Sequence, residues 1–253
     1  MKPLALLAAL MLAAAVSVSA AEKDTRVYLL TTIAAKPGRL EEIHTLIRGL
    51  MPQIAKLGLP VLGVFVPVEN SAEKVVCLNA FASPEAAAQA QDAIDNDPEF
   101  KAGLAKLDAL TDDSKAEPQR VMTAADFSPS VTAAAGKAAR VFELRTYTAT
   151  PGNLPLLHAR FRDHTLGLFA KHGMTNLWYW QLAKEQPGAD RTLVYLLAHA
   201  SVEAAKASFE TFRADPDWIA AKTASEAQGG GSLTVPDGVK SLILQATDYS
   251  PLK

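Results

Sequence analysis

Residues 140–154 read RVFELRTYTATPGNL, and residues 26–40 carry an earlier version of the same pattern, RVYLLTTIAAKPGRL. Each version has the alternation of a β-strand, then a Pro-Gly turn, then the first residues of a helix. Identical residues recur 114 positions apart: Arg26 and Arg140, Pro37 and Pro151, Gly38 and Gly152, Leu40 and Leu154. The chain therefore contains an internal duplication, which predicts two copies of one structural unit.

The repeat continues to the end of both copies. Asp97-Pro98-Glu99-Phe100 matches Asp215-Pro216-Asp217-Trp218 at a spacing of 118, and Asp126-Phe127-Ser128-Pro129 matches Asp248-Tyr249-Ser250-Pro251 at 122. Both copies give the order strand, helix, strand, strand, helix, strand. The growing spacing indicates short insertions in loops. We predict one unit over residues 25–129, a linker over 130–139 and a second unit over 140–251.

The order βαββαβ is ferredoxin-like, an antiparallel sheet with its helices on one face. The other face of each sheet would be an exposed apolar patch unless something covered it. We therefore predict an α+β fold in which two tandem units pair their sheets as an intramolecular pseudo-dimeric α/β barrel.

The N-terminus predicts export. Residues 1–20 combine Lys2, an apolar run from Leu4 to Val18 and small residues at the end, which is typical of a secretory signal peptide. We expect the protein in the periplasm or outside the cell, without stable membrane insertion after cleavage. The net charge of −2, with no basic stripe, argues against nucleic acid as a partner.

The second copy resembles the NIPSNAP family in four motifs: ELRTYTATPGNL at 143–154, KHGMTNLWYW at 171–180, FRADPDW at 212–218 and TDYSP at 247–251. The first copy keeps only an outline of them and resembles a diverged repeat. The resemblance implies the fold of the dimeric α/β-barrel superfamily, which also contains small monooxygenases and haem-binding enzymes. It implies no particular reaction.

Strand alternation supplies the first candidate binding residues. Phe142 and Leu144 share one face of the strand, and Glu143, Arg145 and Tyr147 share the other. We place the apolar face under the helices and the polar row toward the barrel interior. A buried Glu and Arg must pair or meet a ligand, so the row is either a structural ion pair or a ligand-binding surface. The equivalent residues of the first copy are Leu29, Thr31 and Ile33.

Trp178, Trp180 and His164 complete the candidate set. The two tryptophans share one strand face, where they either line a cavity or fill the core. His164 lacks the i, i+4 partner of a helical metal site, so we expect no metal and no cofactor. A haem ligand among the histidines is implied only by the likeness to the superfamily.

Three functions stay open at this point. The first is an exported, non-catalytic protein whose barrel binds a small, partly apolar ligand or a protein partner. The second is a small-monooxygenase-type oxidoreductase with Tyr147, Trp178 or Trp180 against its substrate, and the third is a haem-associated enzyme. No recognisable catalytic constellation occurs, so catalytic residues stay unassigned and the first function is favoured. Further association into a homo-oligomer also stays open.

Overall fold

The computed structural model describes residues 24–115, 117–129 and 140–253. The predicted signal peptide, residues 1–20, and the predicted linker, residues 130–139, lie outside these ranges. Within them, no helix is both long enough and apolar enough to cross a bilayer.

The described part of the first unit contains four strands, three α-helices and a 3-10 turn over Asp113–Lys115. Its strands are β1 (Val27–Ala34), β2 (Val61–Pro67), β3 (Lys74–Phe81) and β4 (Glu117–Ala124), and its helices are α1 (Leu40–Lys56), α2 (Pro84–Asn96) and α3 (Pro98–Leu110). Ser83 and Asp97 begin α2 and α3 by accepting hydrogen bonds from the amides of Ala86 and Phe100.

The second unit repeats this order. Its strands are β5 (Val141–Ala149), β6 (Thr175–Leu182), β7 (Thr192–His199) and β8 (Thr234–Ala246), and its helices are α4 (Leu154–Arg160), α5 (Leu166–Lys171), α6 (Val202–Ala214) and α7 (Pro216–Gln228). A π-helical turn over Phe161–Thr165 joins α4 to α5.

The π-helical turn accommodates a one-residue insertion. The repeat spacing is 114 at Leu40 and Leu154, where the equivalent helices begin, and 115 at Gly58 and Gly173, just after they end. A π-turn places one more residue in a helix without breaking it. The insertion is therefore inside a helix here and not in a loop, and it follows Arg162, which still keeps the spacing of 114 from Arg48.

The eight strands form one closed barrel in the order β1-β3-β2-β8-β5-β7-β6-β4, and all neighbouring strands are antiparallel. The pairs β2–β8 and β4–β6 join the sheet of one unit to that of the other. This architecture confirms the predicted α+β pseudo-dimeric barrel. Because a closed sheet has no edge, neither unit leaves unpaired strand groups at the junction.

Side chains from both units fill the barrel. Phe142, Trp178 and Trp180 of the second unit pack with Tyr28 and Phe65 of the first, and each is less than 2% exposed. A recess of about 190 Å³ remains where β1, β4, β5 and β8 end, beside residues such as Leu144 and Lys240. Two further cores lie between the sheet and the helices, an aliphatic one in the first unit and an aromatic one in the second.

The repeated Asp-(Phe/Tyr)-Ser-Pro motif fastens each unit to the other. The Ser128 hydroxyl accepts a hydrogen bond from the backbone N–H of Tyr179 at 3.0 Å. The Ser250 hydroxyl accepts one from the backbone N–H of Val64 at the same distance. Each serine thus satisfies a strand amide of the opposite unit.

The aspartates of the same motifs form equivalent ion pairs across the unit boundary. Arg162 donates to Asp126 at 2.7 Å, and Arg48 donates to Asp248 at 2.8 Å. The two arginines are 114 residues apart and the two aspartates 122 apart, which are the spacings of the repeat. The contacts therefore obey an approximate two-fold relation between the units.

Candidate functional site

The polar row of β5 faces the helices of the second unit, so its predicted position inside the barrel is wrong. Phe142 and Leu144 belong to the core inside the barrel, whereas Tyr147 packs into the aromatic core beneath the helices. Barrel closure explains why the two faces of β5 are reversed relative to the prediction, because it buries both faces of the sheet. The interior is shared by two units and takes the more apolar face, and the polar groups pair with one another beneath the helices.

Glu143 is the centre of a buried hydrogen-bond network. Its Oε2 accepts from His199 Nε2 at 2.9 Å, and its Oε1 accepts from Ser241 Oγ and from Arg145 Nη1, each at 2.5 Å. Burial alone raises the pKa of this carboxyl, but the bond from His199, the charge of Arg145 and the bond from Ser241 lower it by more. The net shift is downward, so Glu143 is ionised at neutral pH.

Arg145 links this network to the aromatic core. Its guanidinium carbon lies 4.5 Å from the centre of the Phe209 ring, and its Nη2 donates to the Tyr147 hydroxyl at 3.2 Å. Burial lowers the pKa of Arg145, but Tyr195, Tyr147 and Glu143 raise it by more, and the net shift is upward. Its Nε is buried without a hydrogen-bond partner, so the donor set of Arg145 is only partly used.

A cleft of about 400 Å³ opens beside Arg145 and Tyr147. It lies between β5 and the helices α6 and α7, and its volume is in the range of small-molecule sites. Its walls are aromatic with a cationic rim: Arg145, Tyr147, Phe209, Phe212, Arg213, Trp218, Ile219, Lys222, Thr223 and Glu226.

Arg160 lies next to this cleft and is almost fully buried, with 6% of its surface exposed. Its guanidinium carbon is 5.2 Å from the ring centre of Trp218, which is part of the cleft wall. The π-helical turn begins at the next residue, and within it the Thr165 hydroxyl donates to the Arg160 carbonyl at 3.1 Å. Arg160 is thus the last residue of regular α-helix before the π-helical turn.

The first unit has apolar residues at most of these positions. Glu143, Arg145 and Tyr147 correspond to Leu29, Thr31 and Ile33. Sequence reasoning did not include His199, Ser241 and Arg160 in the site. A comparison of the two repeats was the available signal, because it aligns these residues with Phe81, Gln119 and Leu46. The network and the cleft are therefore features of the second unit, not requirements of the fold.

The remaining candidates lie elsewhere. Trp178 and Trp180 stack inside the barrel, with ring centres 6.2 Å apart, and neither lines the cleft. His164 is exposed and borders an open groove with Lys171 and Asp217. The six predicted residues thus divide among three places: Glu143, Arg145 and Tyr147 beneath the helices, Trp178 and Trp180 inside the barrel, and His164 on the surface.

No histidine faces the barrel interior, although all five lie in the described ranges. His44 bonds to the Tyr249 hydroxyl at 2.7 Å, His172 bonds to Asp215 at 2.7 Å, and His158 packs against Phe127. Across residues 24–115, 117–129 and 140–253, no three His, Cys, Asp or Glu side chains are arranged to hold a metal ion. The haem hypothesis therefore lacks the inward-facing histidine that it requires.

Comparison with known proteins finds one family match, over the second unit, and supports the fold. The NIPSNAP family model matches residues 142–251. None of the curated proteins matches the chain significantly.

Three solved structures illustrate the likeness. A proposed monooxygenase from Fusobacterium nucleatum, 12% identical, matches 90% of this chain and 93% of its own with a TM-score of 0.58. A second proposed monooxygenase, from Lactobacillus acidophilus, is 10% identical over 88% of this chain and 94% of its own, with a TM-score of 0.54. A NIPSNAP family protein from Agrobacterium tumefaciens is 23% identical over 42% of this chain and 99% of its own, with a TM-score of 0.37. At these identities, the first two share the barrel fold with this chain.

Proposed function

We propose that the cleft between β5 and helices α6 and α7, in the unit that matches the NIPSNAP family model, binds a small, partly apolar molecule. The observation that carries this proposal is the position of the cleft. It lies where the polar residues peculiar to the second unit meet an aromatic wall. Apolar walls with a few oriented polar groups are typical of small-molecule sites.

Binding at this cleft replaces the expected binding inside the barrel. The interior is occupied by side chains such as Trp178 and Phe65, and the recess at its end, about 190 Å³, is half the size of the cleft. The signal-peptide pattern at residues 1–20 supports a further proposal, that the ligand is met in the periplasm or outside the cell.

The test is native mass spectrometry of protein isolated from its own compartment, followed by ligand-observed NMR with small aromatic probes. Thr223→Phe places a ring in the cleft, and Ala227→Phe places the same ring on an exposed part of the same helix, outside the cleft. We expect probe binding to the wild type and to Ala227→Phe, and at least about tenfold weaker binding to Thr223→Phe. Equal binding to all three proteins would refute the cleft as the site.

A second candidate function is oxidation of the bound molecule by dioxygen, as in a small monooxygenase. It is favoured by the Tyr147 hydroxyl, which lies on an aromatic wall where an electron-rich ring would lose its water shell. Oxygen uptake with 1-naphthol as the probe tests it. Oxygen uptake by the wild type but not by Thr223→Phe would support oxidation. No uptake by either protein would refute oxidation and leave ligand binding as the one proposed function.

A further inference from the structure

We infer that the ligand of the cleft is an anion, specifically a carboxylate on an aromatic or apolar body, and that Arg160 together with Arg145 receives it. This inference rests on the proposed function. It adds the charge and the chemical class of the ligand, which the shape of the cleft does not provide.

Arg160 is the first reason. Its side chain is nearly fully buried, yet its Nε has no hydrogen-bond partner, and its Nη1 has only a long contact of 3.4 Å to the Ser225 hydroxyl. Among the residues that the structure describes, no ion pair includes Arg160. Removing a guanidinium from water without an anion to balance it is unfavourable. An anionic ligand would supply the missing partner.

The groups around Arg160 connect it to the cleft. Burial lowers its pKa, and the groups that oppose this effect most are Tyr147 and Glu226, both of which line the cleft. Trp218, whose ring lies beside the Arg160 guanidinium, forms part of the same wall. A carboxylate entering beside Trp218 would therefore reach Arg160 while its apolar body stayed against the aromatic residues.

The balance of charge around the cleft is the second reason. Arg145, Arg213 and Lys222 line it together with a single carboxylate, Glu226. Glu143 pairs with Arg145 beneath the cleft and also accepts hydrogen bonds from His199 and Ser241. With Arg160 added, positive charge exceeds negative charge, which favours an anionic ligand.

The first unit supplies the third reason. Leu46 occupies the position of Arg160 there, and the same arrangement of sheet and helices forms around it. The fold therefore accepts an aliphatic side chain at this position. A buried cation that the scaffold does not require is best explained by an anion that it binds.

Three probes of nearly equal shape separate charge from fit: benzoate, benzamide and benzylamine. Isothermal titration calorimetry on the wild type is expected to give at least about tenfold tighter binding of benzoate than of benzamide, and the weakest binding for benzylamine. Phenylphosphonate is the fourth probe. Tighter binding of phenylphosphonate than of benzoate would overturn the assignment to a carboxylate.

Arg160→Leu copies the residue of the first unit and removes the charge. We expect it to abolish the preference for benzoate while benzamide binds within about twofold of the wild type. Arg162→Met is the matched control, because Arg162 is exposed and paired with Asp126, and it should keep the preference. Persistence of the preference in Arg160→Leu would overturn the inference.

Thermal unfolding of the ligand-free proteins tests the role of Arg160 without a measurement of binding affinity. Without ligand, Arg160→Leu should melt at or above the temperature of the wild type, and benzoate should raise the melting temperature of the wild type only. A lower melting temperature for Arg160→Leu would show that the arginine supports the fold, which would overturn its role as a ligand partner.

Equal binding of benzoate and benzamide to the wild type would refute the anion while leaving the proposed cleft intact. If no probe binds, or if Thr223→Phe binds all probes as the wild type does, the proposed function itself fails.

Discussion

Replacing Glu143 by leucine is the sharpest test of the buried network. The change removes the acceptor of three hydrogen bonds and leaves Arg145, whose side chain is only 12% exposed, without its carboxylate. Breaking a buried ion pair by removing one partner typically costs about 3–5 kcal/mol. We expect a loss in the free energy of unfolding within that range, even though leucine suits an apolar core.

The first unit suggests how to restore this loss. Glu143→Leu combined with Arg145→Thr copies Leu29 and Thr31, so no charge stays buried. The double variant still loses the acceptor of His199, at about 1–3 kcal/mol, and the contact of Arg145 with Phe209, at about 1–2 kcal/mol. Because the charge penalty is absent, we expect it to be at least about 2 kcal/mol more stable than the two single changes would predict if they were additive.

Guanidinium chloride unfolding of the wild type, the two single variants and the double variant measures this coupling. The exposed pair Arg39 and Glu42 serves as the control, and the same cycle there should give no measurable coupling. If the effects of the changes at 143 and 145 simply add, the two residues do not act as a buried pair and the reasoning is refuted.

Three further predictions concern stability. The pKa of Glu143 is lowered from its ordinary 4.5, so its carboxylate stabilises the folded state fully above pH 4.5, and this contribution to the free energy of unfolding is lost as the pH falls through the lower pKa of the folded state. Denaturant midpoints measured in acid should therefore decline less for Glu143→Gln than for the wild type. Ser128→Ala and Ser250→Ala should each cost about 1–3 kcal/mol in denaturant unfolding, since each leaves a strand amide of the opposite unit without its acceptor. Trp178→Ala should cost about 3–5 kcal/mol by the same measurement, because Trp178 is completely buried inside the barrel, and a loss below about 1 kcal/mol would show that the interior collapses around the gap.

The fold could be predicted because the chain repeats its own landmarks. The two Pro-Gly turns, the Asp-Pro helix starts and the Asp-(Phe/Tyr)-Ser-Pro ends fix the order of strands and helices without reference to other proteins. The need to cover two open sheets then predicts closure. The structural role of these motifs could not be predicted from the sequence. Ser128 and Ser250 bond to the opposite unit, and a sequence pattern gives no contact between residues so far apart.

The direction of the polar row could not be predicted for a related reason. Alternation along β5 separates Glu143 from Phe142, but it does not say which of the two faces points inward. In an isolated sheet the apolar face would belong under the helices. In this closed barrel both faces are buried, and Phe142 lies inside while Glu143 lies beneath the helices, where His199 and Ser241 reach it.

The cleft depends still more on tertiary packing. Arg145 comes from β5, whereas Arg213 and Lys222 come from α6 and α7, and their approach is set by how these helices pack on the sheet. Comparison of the two repeats nevertheless carried a usable signal. Each place where a charged residue of the second unit replaces an apolar residue of the first, as Arg160 replaces Leu46, marks a side chain that the shared scaffold does not need.

This asymmetry between equivalent units is the main reason to locate function in the second one. The ion pairs Arg48–Asp248 and Arg162–Asp126 are present on both sides of the barrel, so they belong to the scaffold. The Glu143 network and the buried Arg160 are present on one side only, and both place charge in a core where burial opposes it. Within the network the charges compensate one another, which suffices for a structural role. For Arg160 the compensation is incomplete: its pKa stays lowered despite Tyr147 and Glu226, and its Nε has no partner among the described residues. The cleft beside it is where an outside partner would complete the balance.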